Sequence, residues 1–509
     1  MSRMPTIAKP MTESARRGVR PAEELAVVHL VTEYWPYART GGLAEAVRGI
    51  ATFQAAQGTP VTVFMPLYRS VRDAYPDLEP ITDAFRVRRV RVGPRVEEAR
   101  ILQHPGPRRN PRVLFIDHPG FFDRGGIYGE DGADYEDNPI RFAFYNLAAL
   151  EILPELANVP VVVHAHDWHA ALAPVFLRTR FAGREAHDRM ATVFSIHNAG
   201  YQGLQRREVL QELGLPRELF HWRRMEFYGH LNLLKGGLVF ADYATTVSPT
   251  HAHELRTTAG GFGLHGSFIE LGDRFLGILN GIDLDVWDPA TDREIEATFS
   301  RSDHAGKPLC KGALQREYSL PEAPREPLYG MTARLVGQKG LDLLLDGGLL
   351  ERAEGQFIFL GAGEDRYETA LRDIATRHPD RVALDTDFSE PKEHRLLAGA
   401  DLLLMPSLYE PCGLTQMRAQ RYGALPVARR VGGLADTIED QVTGFLFDGY
   451  TSEDLEVALG RATALYGGSP EAWAEHMVEA MSRDFGWASS AQRYLDVYRR
   501  ALAAHAPDV

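Results

Sequence analysis

A run of apolar residues over 400–406 is closed by a proline and followed by Tyr409-Glu410-Pro411-Cys412-Gly413, after which a helical pattern resumes over 414–422. A short apolar run bounded by a breaker reads as a strand buried on both faces, and Gly423 is well placed to end the helix behind it. A second apolar stretch over 425–427 then runs into Arg429, Arg430 and the pair Gly432 and Gly433. Two such strands joined through a helix lie parallel in a layered α/β domain. That arrangement sets Glu410 and a glycine-opened helix at the carboxyl end of one strand. The arginines and the Gly-Gly turn fall just past the next, on the edge where open α/β sheets bind ligands. Amides at a helix start favour an anion such as a phosphate, whereas a carboxylate on the same edge suits hydroxyls. The combination points to a sugar that carries phosphate.

The same alternation recurs along the 509 residues. Strands are expected over 25–32, 60–66, 113–117, 159–164, 191–197, 243–247 and 276–279, then over 328–332, 356–360 and 382–384. The Pro-rich segment 321–327 separates two α/β runs, so the expected organisation is a first domain over 25–320 and a second over 321–486. A helix over 487–503, in the terminal segment 487–509, is expected to end the chain, and residues 1–24 are expected to form a disordered tail. That tail carries Arg3, Arg16, Arg17 and Arg20 without the apolar core of a secretory signal. No uninterrupted apolar stretch approaches the length that spans a bilayer. The net charge of −13 disfavours a nucleic-acid role. Two cysteines, Cys310 and Cys412, cannot form a disulfide framework and fit a reducing cytoplasm.

Several loops at expected strand ends carry chemistry. Gly41 and Gly42 permit close backbone approach before a helix, and Arg39 beside them suits a diphosphate. Arg334 and Lys339 flank another strand-to-helix turn, where two cations would stabilise a departing diphosphate. Asp137 precedes a helix and suits an N-cap as well as a ligand, and Asn280 suits a turn as well as a contact. The run His164-Ala-His-Asp-Trp-His169 raises the question of a metal, but the spacing at a strand end is expected to splay the histidines. No cysteine or carboxylate set completes a site beside them.

The string Glu410-Pro-Cys-Gly-Leu-Thr-Gln, followed by Arg429-Arg-x-Gly-Gly-Leu-Ala-Asp436, resembles bacterial glycogen synthases and plant starch synthases. Further motifs follow in family order from about residue 26 to residue 500: Thr40-Gly-Gly-Leu43, Asp137-Asn-x-x-Arg-Phe142, Asp167-Trp-His169, His197-Asn198, Tyr201-Gln-Gly203 and Asn280-Gly-Ile-Asp283. The resemblance implies the GT-B architecture: two doubly wound Rossmann-like domains facing each other across a deep cleft, with a C-terminal helix crossing back to the first. It implies a retaining transfer of glucose from ADP-glucose to the non-reducing 4-hydroxyl of an α-1,4-glucan, in the cytoplasm. Glu410, His169, Arg334 and Lys339 would be the catalytic set. Arg39, Gly41, Gly42, Asn280, Gly363, Tyr409, Cys412, Gly413, Leu414, Gly432 and Gly433 would hold the donor. Asp137, Asn198, Tyr201 and Gln202 would lie on the acceptor and sugar side. The implied partners are a nucleotide sugar and a glucan, with no nucleic acid and no membrane, and neither a metal nor pyridoxal phosphate is implied as cofactor. The chain departs from the family pattern at Arg39, where lysine is usual, and at Glu45, where aspartate is common. These departures keep open a related transferase using UDP-glucose or a small-sugar acceptor. The alternative from another class is a glucan- or nucleotide-binding protein without catalysis.

Overall fold

Strand β1 (Ala26–Leu30) is buried along its whole length, as a strand sandwiched between helical layers must be. The computed structural model describes residues 25–81, 87–107, 109–130, 132–156 and 159–505. The expected tail over 1–24 lies outside them. The chain divides into two compact units, residues 1–244 with 491–509, and residues 245–490.

In the first unit β1 lies parallel to β2 (Val61–Pro66), and β2 lies parallel to β5 (Arg112–Asp117). Beyond β5 the sheet turns antiparallel through β4 (Arg95–Gln103) to the short β3 (Glu79–Pro80). On the other flank of β1 lie β6 (Val161–His166) and β7 (Ala191–Ile196), again parallel. Within a ten-stranded sheet, the stretch β7-β6-β1-β2-β5-β4-β3 reverses its winding between β1 and β6. A doubly wound sheet opens its crevice at such a reversal, outside the carboxyl ends of the two strands. Helix α1 (Leu43–Ala56) follows β1, and α2 (Asn138–Leu156) precedes β6. The C-terminal helix Trp487–Ala503 contributes its residues from Ala491 onward to this unit, as expected of a returning helix.

On one face of the β1–β6 junction histidines stand where the flanking pairs are aliphatic. Gln54 donates through Nε2 to the Tyr498 hydroxyl (3.0 Å), which bonds His164 Nδ1 (2.8 Å), and His164 Nε2 bonds the Ser195 hydroxyl (2.6 Å). From the other end of Gln54, Oε1 accepts from His29 Nε2 (3.0 Å), His29 Nδ1 pairs with His166 Nε2 (3.0 Å) and His166 Nδ1 with His197 Nε2 (3.1 Å). Because Gln54 offers one donor and one acceptor, its orientation sets every tautomer along both arms. The expected splaying of the histidines is corrected here. Residues two apart on a strand share a face, so His164 and His166 lie side by side with ring centroids 4.1 Å apart. His29, His164 and His166 bring ligand atoms within 4.8 Å of one another, yet hydrogen bonds already occupy all six of their ring nitrogens.

The second unit holds β8 (Leu328–Thr332), β9 (Gln356–Leu360), β10 (Val382–Asp385), β11 (Leu402–Met405), β12 (Leu425–Arg429) and β13 (Phe445–Phe447) in the order β10-β9-β8-β11-β12-β13. Every adjacent pair is parallel. Numbered from β8 this is the 3-2-1-4-5-6 order of a dinucleotide-binding sheet, with its reversal between β8 and β11. Residues 245–320 pack with this second unit, while the strands at 243–246 and 275–277 continue the first sheet past β7. Two buried lysines supply the reason. On the helix Gly306–Glu317, Lys307 donates to the carbonyls of Ala398 (3.0 Å) and Ala400 (2.9 Å), and Lys311 pairs with Asp401 (2.7 Å). The helix is therefore pinned to the start of β11, although a proline-rich stretch follows it. Among the described residues no helix is long and apolar enough to cross a membrane.

Burial lowers the His29 pKa to about 4 and that of His197 to about 3, and pushes His164, His166 and His169 well below the usual value near 6.5. Unfolded, these histidines take up protons below about pH 6.5; folded, they resist until far lower pH. The stability they allow at neutral pH is therefore lost as pH falls below about 6.5, on the order of 2 kcal/mol each at pH 5 for His29 and His197. Asp167 acts in the opposite sense, because burial raises its pKa to about 7 and it gains a proton more readily folded than unfolded, but it is one group against five. Calorimetry should show the melting temperature falling by roughly 5 °C or more between pH 7 and pH 5. A flat profile over that range would contradict a neutral buried network. Tyr498→Phe strands a nitrogen on both Gln54 and His164 and should cost about 1–3 kcal/mol in denaturant unfolding. Unchanged stability would show that neither nitrogen relies on the hydroxyl.

Candidate functional site

Four loops at the carboxyl edge of the second sheet are laced together. The turn after β8 runs through Gln338 and Lys339 to Gly340, whose φ of +74° favours glycine and whose added Cβ would meet the Pro406 carbonyl oxygen at 1.9 Å. Leu408 N–H donates to the Gln338 carbonyl (2.8 Å), and the Gln338 amide donates to the Tyr409 carbonyl (3.1 Å). Lys339 Nζ then reaches Glu410 Oε2 at 2.6 Å, and the Ser407 hydroxyl donates to the same oxygen at 3.1 Å. Glu410 is 6% exposed, so its charge needs these partners. Glu410 Oε1 makes no hydrogen bond among the described residues, and an ammonium offers two further donors beyond the one spent on Glu410. Arg334 is exposed beside this pair in sequence, with no ion pair among the described residues. A carboxylate oxygen and two cationic groups thus stand at the loops that flank the winding reversal.

The helices behind this edge are tightly seated. Gly413 (φ +70°) precedes Leu414, whose carbonyl accepts from the first turn of α3 (Thr415–Arg421). The Cys412 thiol is buried, which pushes its pKa up to about 12, and it bonds the backbone of Asn280. At the start of α4 (Gly432–Thr437) a Cβ on Gly432 would meet the Glu410 carbonyl oxygen at 2.0 Å, and one on Gly433 the Cys412 carbonyl oxygen at 2.0 Å. Both amides are already engaged: Gly433 N–H donates to the Glu410 carbonyl (3.1 Å) and Gly432 N–H to the Glu254 carboxylate (2.9 Å). Gly363 N–H likewise donates to Glu368 (2.8 Å), and the Tyr409 ring packs edge-on against Phe262 (5.1 Å).

In the first unit the corresponding edge carries the loops after β1 and β6. Glu33, 3% exposed at the end of β1, accepts from the amides of Thr40 and Gly41 (3.3 Å for the latter), from the Thr40 hydroxyl (2.7 Å) and from the Tyr128 hydroxyl (2.6 Å). Gly42 N-caps α1. Arg39 pairs with Glu45 at 2.7 Å and lies over the Trp35 ring at 4.8 Å. The two departures from the family pattern are therefore partners of each other. After β6, Asp167 adopts φ +55° and accepts from the His197 amide (2.7 Å), a left-handed backbone that turns the chain sharply into His169. The His169 ring is stacked on Tyr128 (4.4 Å), tilted against Trp168 (4.0 Å) and edge-on to Phe142 (4.9 Å). It is neutral through burial, and its Nδ1 has no hydrogen-bond partner among the described residues.

Expected site residues thus fall into three groups. Lys339, Glu410 and the loop around Cys412 and Gly413 are brought together, and His169 is set with an unspent nitrogen. The amides expected to face an anion at Gly41, Gly432 and Gly433 instead meet Glu33, Glu254 and the Glu410 carbonyl, and Gly363 N–H, in a loop expected to hold the donor, meets Glu368. On the acceptor side, Asp137 is held by Arg124 through both oxygens (2.7 and 2.6 Å) rather than capping α2 with its side chain. Asn198 accepts from Gly200 N–H (2.9 Å), Gln202 bonds Ala199 (3.2 Å) and Asn232 (2.6 Å), and Tyr201 is exposed. The sequence reading passed over Glu33, Tyr128 and Glu254. Glu33 carried a signal, a carboxylate directly after an apolar strand; Tyr128 and Glu254 carried none, because their partners lie far away in sequence.

With this geometry in view, the matches to known proteins are consistent. Residues 26–270 match the family described as the starch synthase catalytic domain, and residues 317–476 match glycosyl transferases group 1. A glycogen synthase from Anaeromyxobacter dehalogenans is 42% identical over 483 residues, covering 93% of this chain and 99% of the relative. One from Koribacter versatilis is 39% identical over 494 residues, covering 94% and 99%. Among solved structures, the catalytic domain of starch synthase IV from Arabidopsis thaliana, bound to ADP and acarbose, superposes with a TM-score of 0.85 at 34% identity, covering 94% of this chain and 100% of that one. A sucrose-phosphate synthase from Thermosynechococcus elongatus shares the fold at 17% identity, with a TM-score of 0.59. A GT-B glycosyltransferase fold, near-full-length relatives and a lysine–glutamate pair at the winding reversal agree, and the chain belongs to the glycogen synthase and starch synthase family.

Proposed function

We propose that this protein is a glycogen synthase that transfers glucose, with retention, from ADP-glucose to the non-reducing 4-hydroxyl of an α-1,4-glucan. The observation that carries the reading is the Lys339–Glu410 pair at 2.6 Å, with a second cation, Arg334, in the same loop. Donor and acceptor classes are supported by the Arabidopsis starch synthase IV, which binds ADP and acarbose. Leaving of a nucleoside diphosphate builds negative charge, and the remaining Lys339 donors with Arg334 are suited to stabilise it. Glu410 Oε1 suits the glucose hydroxyls and the developing positive charge at the anomeric carbon. His169, neutral and with Nδ1 unspent, suits a sugar hydroxyl, since a neutral imidazole nitrogen pairs with an uncharged group without a desolvated charge. In this reading two protein cations serve the diphosphate, so no metal ion is assigned a step.

Purified protein incubated with short maltodextrins, in excess EDTA, should elongate them with ADP-glucose and release ADP. Elongation with UDP-glucose alone would overturn the donor assignment, and activity that returned only with added magnesium would overturn the metal-free reading. Lys339→Ala and Glu410→Ala should each lower kcat by roughly 10²–10³ with circular-dichroism spectra unchanged. Turnover within a factor of a few of the parent in either variant would remove that residue from the chemistry.

A further inference from the structure

Large apolar side chains exposed to water are common singly, but grouped rings on a rigid frame mark a binding face. The first unit carries such a group on a three-stranded antiparallel sheet formed by Leu204–Gln205, His230–Asn232 and Glu226–Phe227. Opposed residues share a face, and the register places Leu204 opposite Asn232 and Phe227 opposite His230. Leu204, His230 and Phe227 therefore project from the same side. At the turn Tyr228 stands 79% exposed with its ring edge-on to Phe227 at 4.7 Å, and Tyr201 stands 54% exposed at the entry to the first strand.

This face is braced from beneath. Buried Lys235 donates to the carbonyls of Trp222 (2.5 Å) and Glu226 (2.7 Å), and Gly229 N–H donates to the Glu226 carboxylate (2.8 Å). Tyr228 holds φ +48°, a left-handed backbone that tyrosine rarely adopts, so the turn keeps a bulky ring where glycine or asparagine would be less strained. Strained backbone of this kind recurs at ligand clamps.

The occupant follows from what adjoins the face. Gly203 sits directly on Trp168, where an added Cβ would approach the indole to 2.5 Å, and Trp168 packs at a tilt against His169. Gln202 is tied to Asn232 of the central strand (2.6 Å), and the Leu233 and Leu234 amides donate to the Gly203 and Gln202 carbonyls. The small sheet is thus a rigid continuation of the loop that carries Tyr201 and Gln202 and leads to His169. A linear sugar chain has apolar C–H faces that suit aromatic rings and hydroxyls that suit His230. We propose that the Tyr201, Leu204, Phe227, Tyr228 and His230 face binds an α-glucan chain at a distance from its reacting end. This deepens the proposed function and rests on it for the chemistry of the ligand.

The test is retardation of the full-length protein in native gels containing glycogen. Tyr228→Asn removes the ring while suiting the left-handed backbone, so it should fold, and Tyr228→Phe keeps the ring. Glycogen should retard the parent and Tyr228→Phe alike, whereas Tyr228→Asn should bind at least fivefold more weakly. The ratio of KM for glycogen to KM for maltotriose should rise by a similar factor. Equal retardation of parent and Tyr228→Asn, or no retardation of the parent, overturns the platform. So does an altered sedimentation coefficient with retardation unchanged, which would make the face a contact between copies. Elongation of maltotriose is scored separately, so a parent that binds glycogen without elongating it would count against the proposed function and leave the platform standing.

Discussion

A parallel sheet that winds first one way and then the other leaves a gap where the direction changes, since no connection covers the strand ends there. Both sheets of this chain are built that way. In the first, the reversal falls between the strands ending in Leu30 and His166; in the second, between those ending in Thr332 and Met405. The loops leaving those four strands carry Glu33, His169, Lys339 and Glu410. Nothing in the local propensity of those loops selects these residues, and they gain their meaning only from strand order. In each unit the strand order therefore sets these residues at the edge where open α/β sheets bind ligands.

Within the second unit the Lys339–Glu410 pair shows how little of such a site concerns stability. Taking a carboxylate to 6% exposure costs several kcal/mol, and one ammonium with one hydroxyl offsets that cost without a surplus. A leucine–methionine contact would serve the core at least as well. The surrounding glycines make the same point, because Gly340, Gly432 and Gly433 each press backbone against the carbonyl of a neighbouring loop at distances no side chain permits. Loop is seated on loop so that a charged pair can be held at the rim of a rigid sheet.

Much of this was legible in the sequence. Apolar runs ended by proline or glycine located nearly every strand of both sheets, and the string around Glu410 put its carboxylate at a strand's carboxyl end, where Lys339, 71 residues away, meets it. Two kinds of feature were not legible. Pro321–Pro327 looks like a linker, whereas Lys307 and Lys311 anchor the preceding helix to the second sheet through buried carbonyls and Asp401. Surface-looking lysines give no warning of burial. The histidine network was hidden for a related reason. Only strand pairing brings His29 beside His166, and only the returning helix brings Tyr498 to His164, so neither appears as a local motif.

Sequence reasoning was also too generous with backbone amides. An N–H at a helix start attracts an anion, but the anion need not come from outside. Glu33 takes the Thr40 and Gly41 amides, and Glu254, itself 3.3 Å from His251, takes that of Gly432. A carboxylate in each position does what a phosphate oxygen would do, so a diphosphate could use the Gly432 amide only by displacing Glu254. Lys339 retains two donors and Arg334 has no competing ion pair among the described residues, so these side chains meet an incoming diphosphate with no such exchange. Under the proposed function that difference ranks the groups toward a diphosphate: the two cations first, the glycine amides only after a carboxylate has moved.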